Sequence, residues 1–149
     1  MIRDNPTPGP AKAAADHTIR AILTGSRTIA VVGASPKPER PANIVMRYLI
    51  AAGYRVVPVN PGHAGDEILG RPAFGRLADV PVPIDVVDVF RRREALGAVV
   101  DEALALKPLP KVIWMQLGLR DDDAASRAEA AGLTVVMDRC MRIEHRRLG

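Results

Sequence analysis

The chain has 149 residues and a mass of 16.0 kDa, the size of one domain with little room for a second. Apolar residues make up 48%, enough to fill a core, whereas the aromatics amount to two Phe, two Tyr and one Trp. Readers of single-stranded nucleic acid stack bases on aromatic platforms, so this composition argues against that class, while 21 Lys and Arg against 17 Asp and Glu favour an anionic partner.

A single cysteine, Cys140, excludes an internal disulfide framework and fits a reducing, cytoplasmic compartment. No apolar run approaches the roughly 20 residues of a membrane span. Residues 1–10 carry Pro6, Pro8, Gly9 and Pro10 and are expected to form a flexible leader, not a secretory signal; residues 11–149 are expected to form one domain. From Ala11, the positions Ala11, Ala15, Ile19, Ile22 and Leu23 fall at helical spacing up to a stop at Gly25. Thr28-Ile29-Ala30-Val31-Val32-Gly33 follows, an unbroken β-branched run of the kind found in a strand covered on both faces. Pro41 suits a helix's first turn, and Ile44, Val45, Tyr48, Leu49 and Ala52 stripe that helix to Gly53.

The unit then repeats. Second, third, fourth and fifth strands are predicted at Arg55–Asn60, Ile84–Phe90, Lys111–Gln116 and Thr134–Met137. Helices are predicted around Leu96–Leu104 and Asp121–Ala131, and a short helix or turn within Asp138–Leu148. Pro58 would remove a ladder hydrogen bond from the second strand, which argues for a gap or an edge there. Pro61–Pro83, rich in Pro and Gly and without a helical stripe, is expected to pack over the sheet edge near the ligand. The regular spacing predicts an α/β fold: a three-layer, Rossmann-like open parallel sheet of about five strands with helices on both faces. The strand order expected is 3-2-1-4-5.

In such sheets ligands bind beyond the carboxyl ends of the strands, which selects Gly33-Ala34-Ser35-Pro36-Lys37, Val59-Asn60-Pro61, Val89-Phe90-Arg91 and Gln116-Leu117-Gly118. At the first of these, a glycine and small residues open a turn where main-chain N–H groups and a helix's positive end hold an anion, with Ser35, Lys37 and Arg40 beside it; an ordinary strand–helix turn is the bland alternative. Arg91-Arg92-Arg93 places cations at a helix start, which is unfavourable unless an anion faces them. A nicotinamide dinucleotide fingerprint is not complete, because Ser35 and Pro38 stand where glycines are needed and Asn60 where a ribose-gripping acid is needed.

Five segments in order resemble one family: Val31–Pro36, Val56–Pro61, Asp85–Arg91, Trp114–Gly118 and Met137–His145. They look like the small stand-alone CoA-binding domain proteins, which are similar to the CoA-binding domain of the succinyl-CoA synthetase alpha subunit. The resemblance covers about residues 20–149. It implies that coenzyme A is bound through its ADP portion, with Gly33, Ala34, Ser35 and Pro36 along the phosphates and Lys37 and Arg40 neutralising them. It further implies that Val59, Asn60 and Pro61 border the adenosine end and that Phe90 and Arg91 flank the pocket. The synthetase's own glycine-rich loop is not reproduced, since Pro36 and Pro38 occupy it.

Gln116 shares a face with Trp114 and is a further candidate to meet the ligand, with Gly118 beside it. Cys140 and His145, five apart, do not share a helical face as a nucleophile and base would; Cys140 reads as a core residue and His145 as a local structural group. Asp88 is expected to take a backbone donor or to orient Arg91, Asp121-Asp122-Asp123 to cap a helix, and Trp114 to lie in the core. No metal-ligand spacing occurs. The leading expectation is thus a non-catalytic binder of CoA or acyl-CoA, monomeric or homodimeric, with neither nucleic acid nor membrane as partner. The alternatives are an NAD(P)-binding or acyl-CoA-using enzyme and, from the basic balance and Arg146-Arg147, a nucleic-acid or protein-interaction module.

Overall fold

The computed structural model describes residues 14–149; the expected leader and the start of the first predicted helix lie outside the described residues. In chain order the elements are α1 (Asp16–Gly25), β1 (Thr28–Val32), α2 (Pro41–Ala51), β2 (Arg55–Val59), β3 (Glu67–Ile68), β4 (Arg71–Pro72), β5 (Val86–Val89), α3 (Leu96–Leu104), β6 (Val112–Met115), α4 (Asp122–Ala130), β7 (Thr134–Val136) and α5 (Met141–Leu148). Among the described residues no helix is long and apolar enough to cross a membrane.

Five strands form one parallel sheet and β3–β4 a separate small hairpin. The period-2 alternation of β1 sends Ile29 and Val31 to one face and Ala30 and Val32 to the other, and helices cover both. Ile19 and Ile22 of α1, Met46 and Leu49 of α2 and Met141 of α5 pack on the first face. Leu96, Val100 and Ala103 of α3 and Ala124 and Ala128 of α4 pack on the second. This double cover is why β1 is buried at every position and shows no polar alternation. At α4, the Asp121 carboxylate accepts from Ala124 N–H at 3.0 Å, which caps the helix as expected.

The sheet order is β2-β1-β5-β6-β7, which in five-strand numbering is 2-1-3-4-5, so the expected order 3-2-1-4-5 is corrected. The third long strand pairs with the far side of β1, in register Val31 with Asp88. Pro58 supplies a physical reason. Its carbonyl accepts from Phe74 N–H at 3.0 Å on the outer side of β2, the side on which its missing N–H would have to serve another strand, so β2 is an edge. Residues 61–83 cover that edge with two 3-10 turns, the β3–β4 hairpin and a single parallel bridge from Phe74 to Val59. The reversal between β1 and β5 is the topological switch point of the sheet.

Two acids of β5 and its approach behave oppositely. Asp85 accepts from Arg27 N–H and Thr28 N–H at 2.8 and 2.9 Å and faces Lys111 Nζ at 3.6 Å. Partial burial pushes its carboxyl up, but those donors and Lys111 outweigh it and hold the pKa below the ordinary carboxylate value. Asp88 is fully buried beside Val31 and Trp114 in the ladder, and neither carboxyl oxygen has a hydrogen-bond partner. The expected backbone donor or Arg91 contact is therefore corrected. Burial alone drives its pKa well above the usual range, because the charged form has nothing to compensate its desolvation.

Candidate functional site

The turn after β1 is fixed by close approach. Gly33 has φ +93°, and a Cβ there would lie 2.4 Å from the Phe90 carbonyl oxygen at the end of β5, so only glycine lets these two strand ends sit together. The N–H groups of Gly33 and Ala34 both donate to Val59 O, at 2.9 and 3.3 Å. These two amides, expected to face an anion, are committed within the fold. Asn60 completes the brace: its Nδ2 donates to Ala34 O at 2.8 Å and its Oδ1 accepts from Gly62 N–H at 2.9 Å.

The free donors lie one step further along. Helix α2 starts with Pro41 at its first turn and has no side-chain cap on its N-terminus, so the N–H groups of Ala42 and Asn43 have no partner within the helix ladder. Asn43 is buried and donates through Nδ2 to Ser35 O at 2.9 Å, and Arg47 Nε donates to Asn43 Oδ1 at 2.8 Å. Together they hold the Ser35 turn against the helix. Above it opens a hollow of about 520 Å³ lined by Gly33, Ser35, Arg40, Pro41, Ala42, Ile44 and Val45 on this side. Across it stand Phe90 and Arg91 after β5, Gln116, Leu117 and Leu119 after β6, and Cys140, Arg142 and Ile143 after β7.

Three hydrogen bonds lock the far wall. Gln116 Oε1 accepts from Met141 N–H at 3.1 Å and so caps α5, Gly118 N–H donates to Asp138 Oδ1 at 2.7 Å, and Trp114 Nε1 donates to Arg139 O at 2.7 Å. Trp114 is in the core. His145 Nδ1 shares a 2.8 Å hydrogen bond with Tyr48 Oη and meets Tyr48 and Tyr54 edge-on, so it ties α5 to α2. Arg142 differs from its neighbours: its Nε is buried and has no hydrogen-bond partner, although its side chain borders the hollow.

The structure therefore brings Gly33, Ser35, Arg40, Phe90, Arg91 and Gln116 of the sequence-selected residues to one hollow at the switch point. Ala34 and Val59 are buried in the core beneath it. Pro36 and Lys37 stand exposed on the β1 turn, Pro61 begins the 3-10 turn after Asn60, and Gly118 borders a neighbouring hollow with Arg93 and Asp121. The Pro61–Pro83 connection covers the sheet edge as expected, and none of its residues lines this hollow. Sequence reasoning missed Ala42 and Leu119, Ile44 and Val45, which read as part of an apolar helix face, and Cys140, Arg142 and Ile143. The strand-end rule applied to the fifth strand contained the signal for the last three.

A family model for the CoA binding domain matches residues 27–146. The chain belongs to the CoA-binding domain family. It is 41% identical to the uncharacterised Bacillus subtilis protein YneT over 127 residues, 85% of this chain and 91% of that protein. Among solved structures, a Pyrococcus horikoshii protein described as hypothetical superposes with a TM-score of 0.86 at 43% identity, covering 99% of both chains. A dinucleotide-forming acetyl-coenzyme A synthetase from Candidatus Korarchaeum cryptofilum superposes with a TM-score of 0.64 at 25% identity, over 74% of this chain and 26% of that one. The hollow in this CoA-binding domain carries an uncapped helix N-terminus and three arginines, with no carboxylate among its lining residues, an arrangement that favours an anion.

Proposed function

We propose that this protein binds coenzyme A or a CoA thioester through its ADP portion at the carboxyl ends of β1 and β5, and catalyses no reaction of its own. The observation that carries this reading is the convergence of Arg40 and Arg91 with the uncapped start of α2 on one hollow at the switch point. The N–H groups of Ala42 and Asn43, with the Ser35 hydroxyl, hold the diphosphate, and the two guanidiniums neutralise it. Lys37, exposed on the same turn, serves the 3′-phosphate, and Asn60 acts by bracing the turn. The charged side chains that line the hollow are Arg40, Arg91 and Arg142, whose guanidinium groups suit bidentate phosphate contacts.

Calorimetry against CoA, dephospho-CoA and NAD tests the reading. CoA is expected to bind at one site per chain, more tightly than the other two. Arg91→Ala removes a charge-assisted contact at a partly exposed site and is expected to weaken CoA binding about ten-fold. Equal, weak heats for all three ligands, unchanged by the substitution, would overturn it.

A further inference from the structure

The hollow carries both cationic and apolar side chains. Strand order fixes their positions: the β1 and β5 ends contribute Gly33, Ser35 and Arg91, and the β6 and β7 ends contribute Leu117 and Ile143. Among the described residues only Leu109, Leu117 and Ile143 are large hydrophobics left exposed, at 41%, 63% and 44%, and the last two stand on this one rim. A lone exposed leucine carries no message. Leu117 and Ile143 share the rim of a hollow whose wall is mostly apolar, with Ile44, Val45, Phe90 and Leu119, and which also carries Arg40, Arg91 and Arg142, so an amphipathic ligand seated there can cover them.

We infer that the lip formed by Leu117 and Ile143 receives the acyl chain of a CoA thioester, so that the ligand is an aliphatic acyl-CoA in preference to free CoA. The inference rests on the CoA reading above. A diphosphate anchored at the start of α2 directs the pantetheine arm along the strand ends toward β6 and β7. Free CoA ends there in a small thiol, which leaves Leu117 and Ile143 in water. A straight aliphatic chain covers both. Burying one methylene is worth up to about a four-fold gain in affinity, and a half-buried one about two-fold.

The test is titration of the full chain with CoA, acetyl-CoA, hexanoyl-CoA and succinyl-CoA, read as affinity ratios to CoA. Hexanoyl-CoA is expected to bind at least about ten-fold more tightly than CoA, with acetyl-CoA between them. The ratio is expected to fall to near one in Leu117→Ser/Ile143→Ser. If CoA and hexanoyl-CoA bind equally well, the acyl inference is wrong and the CoA reading survives. If succinyl-CoA gains affinity and hexanoyl-CoA does not, the unpartnered Arg142 reads the acyl end and the apolar assignment is overturned. If none of the four binds, both readings fall together. A variant that loses its thermal transition is replaced by Leu117→Ser alone, an exposed site where folding is undisturbed.

Discussion

Asp88 offers a test in which the sign and the window both come from the structure. Its carboxyl is fully buried, has no hydrogen-bond partner and is driven well above its ordinary pKa by burial. A group whose pKa is raised on folding gives its full share of stability below the unfolded value, near 4, and loses it as pH rises toward the folded value. The contribution of Asp88 to wild-type stability should therefore decline from about pH 4 upward, with a slope of at most about 1.4 kcal/mol per pH unit. Asp85 works the other way, because its lowered pKa makes its contribution disappear only in acid, so the two windows do not overlap. Asp88→Asn keeps the side-chain shape and removes the ionisation. Urea unfolding of both proteins at a series of pH values from 4 to 8 should show the stability difference, variant minus wild type, growing with pH. Asp88→Val removes the buried polar group as well and should gain about 1–3 kcal/mol at pH 7 if the core closes around it. Parallel stability curves for Asp88→Asn and wild type across that range would refute the claim that burial raises the pKa of this acid.

Two further substitutions probe the turn that shapes the hollow. Gly33→Ala places a Cβ 2.4 Å from the Phe90 carbonyl oxygen at a φ of +93°, and should cost more than about 2 kcal/mol, lowering the melting temperature by at least about 4 °C and abolishing CoA binding; an unchanged melt would show that β1 and β5 can part freely. Asn60→Ala deletes the hydrogen bonds to Ala34 O and Gly62 N–H and should cost about 1–3 kcal/mol in stability. Its effect on CoA affinity should be smaller than that of Arg91→Ala, since Asn60 braces the turn and does not line the hollow, and calorimetry of the two variants side by side decides this.

Much of the architecture is legible in the chain because it rests on local chemistry. A β-branched run such as Thr28–Val32 can be covered on both faces only inside an α/β sheet, and Pro41, Gly25 and Asp121 mark helix ends by the donors they lack, the turns they permit or the amides they cap. With the strands placed, the strand-end rule leads to Gly33, Ser35, Phe90, Arg91 and Gln116 without coordinates. What local pattern does not encode is which neighbour a strand takes. Val86–Val89 carries the same buried signature whether it lies beside β2 or beside β1; Pro58 hints at a gap or an edge in the chain itself, but only the closure of its outer side by Phe74 decides between them. The same holds for the hollow's remaining walls. Ile44 and Val45 on α2, Cys140, Arg142 and Ile143 beyond β7, and the orphaned acid of Asp88 acquire their roles only when α2 and α5 pack on one face of the sheet. Burial and proximity between residues a hundred positions apart are properties of that packing, and periodicity within a few turns or strands carries no record of them.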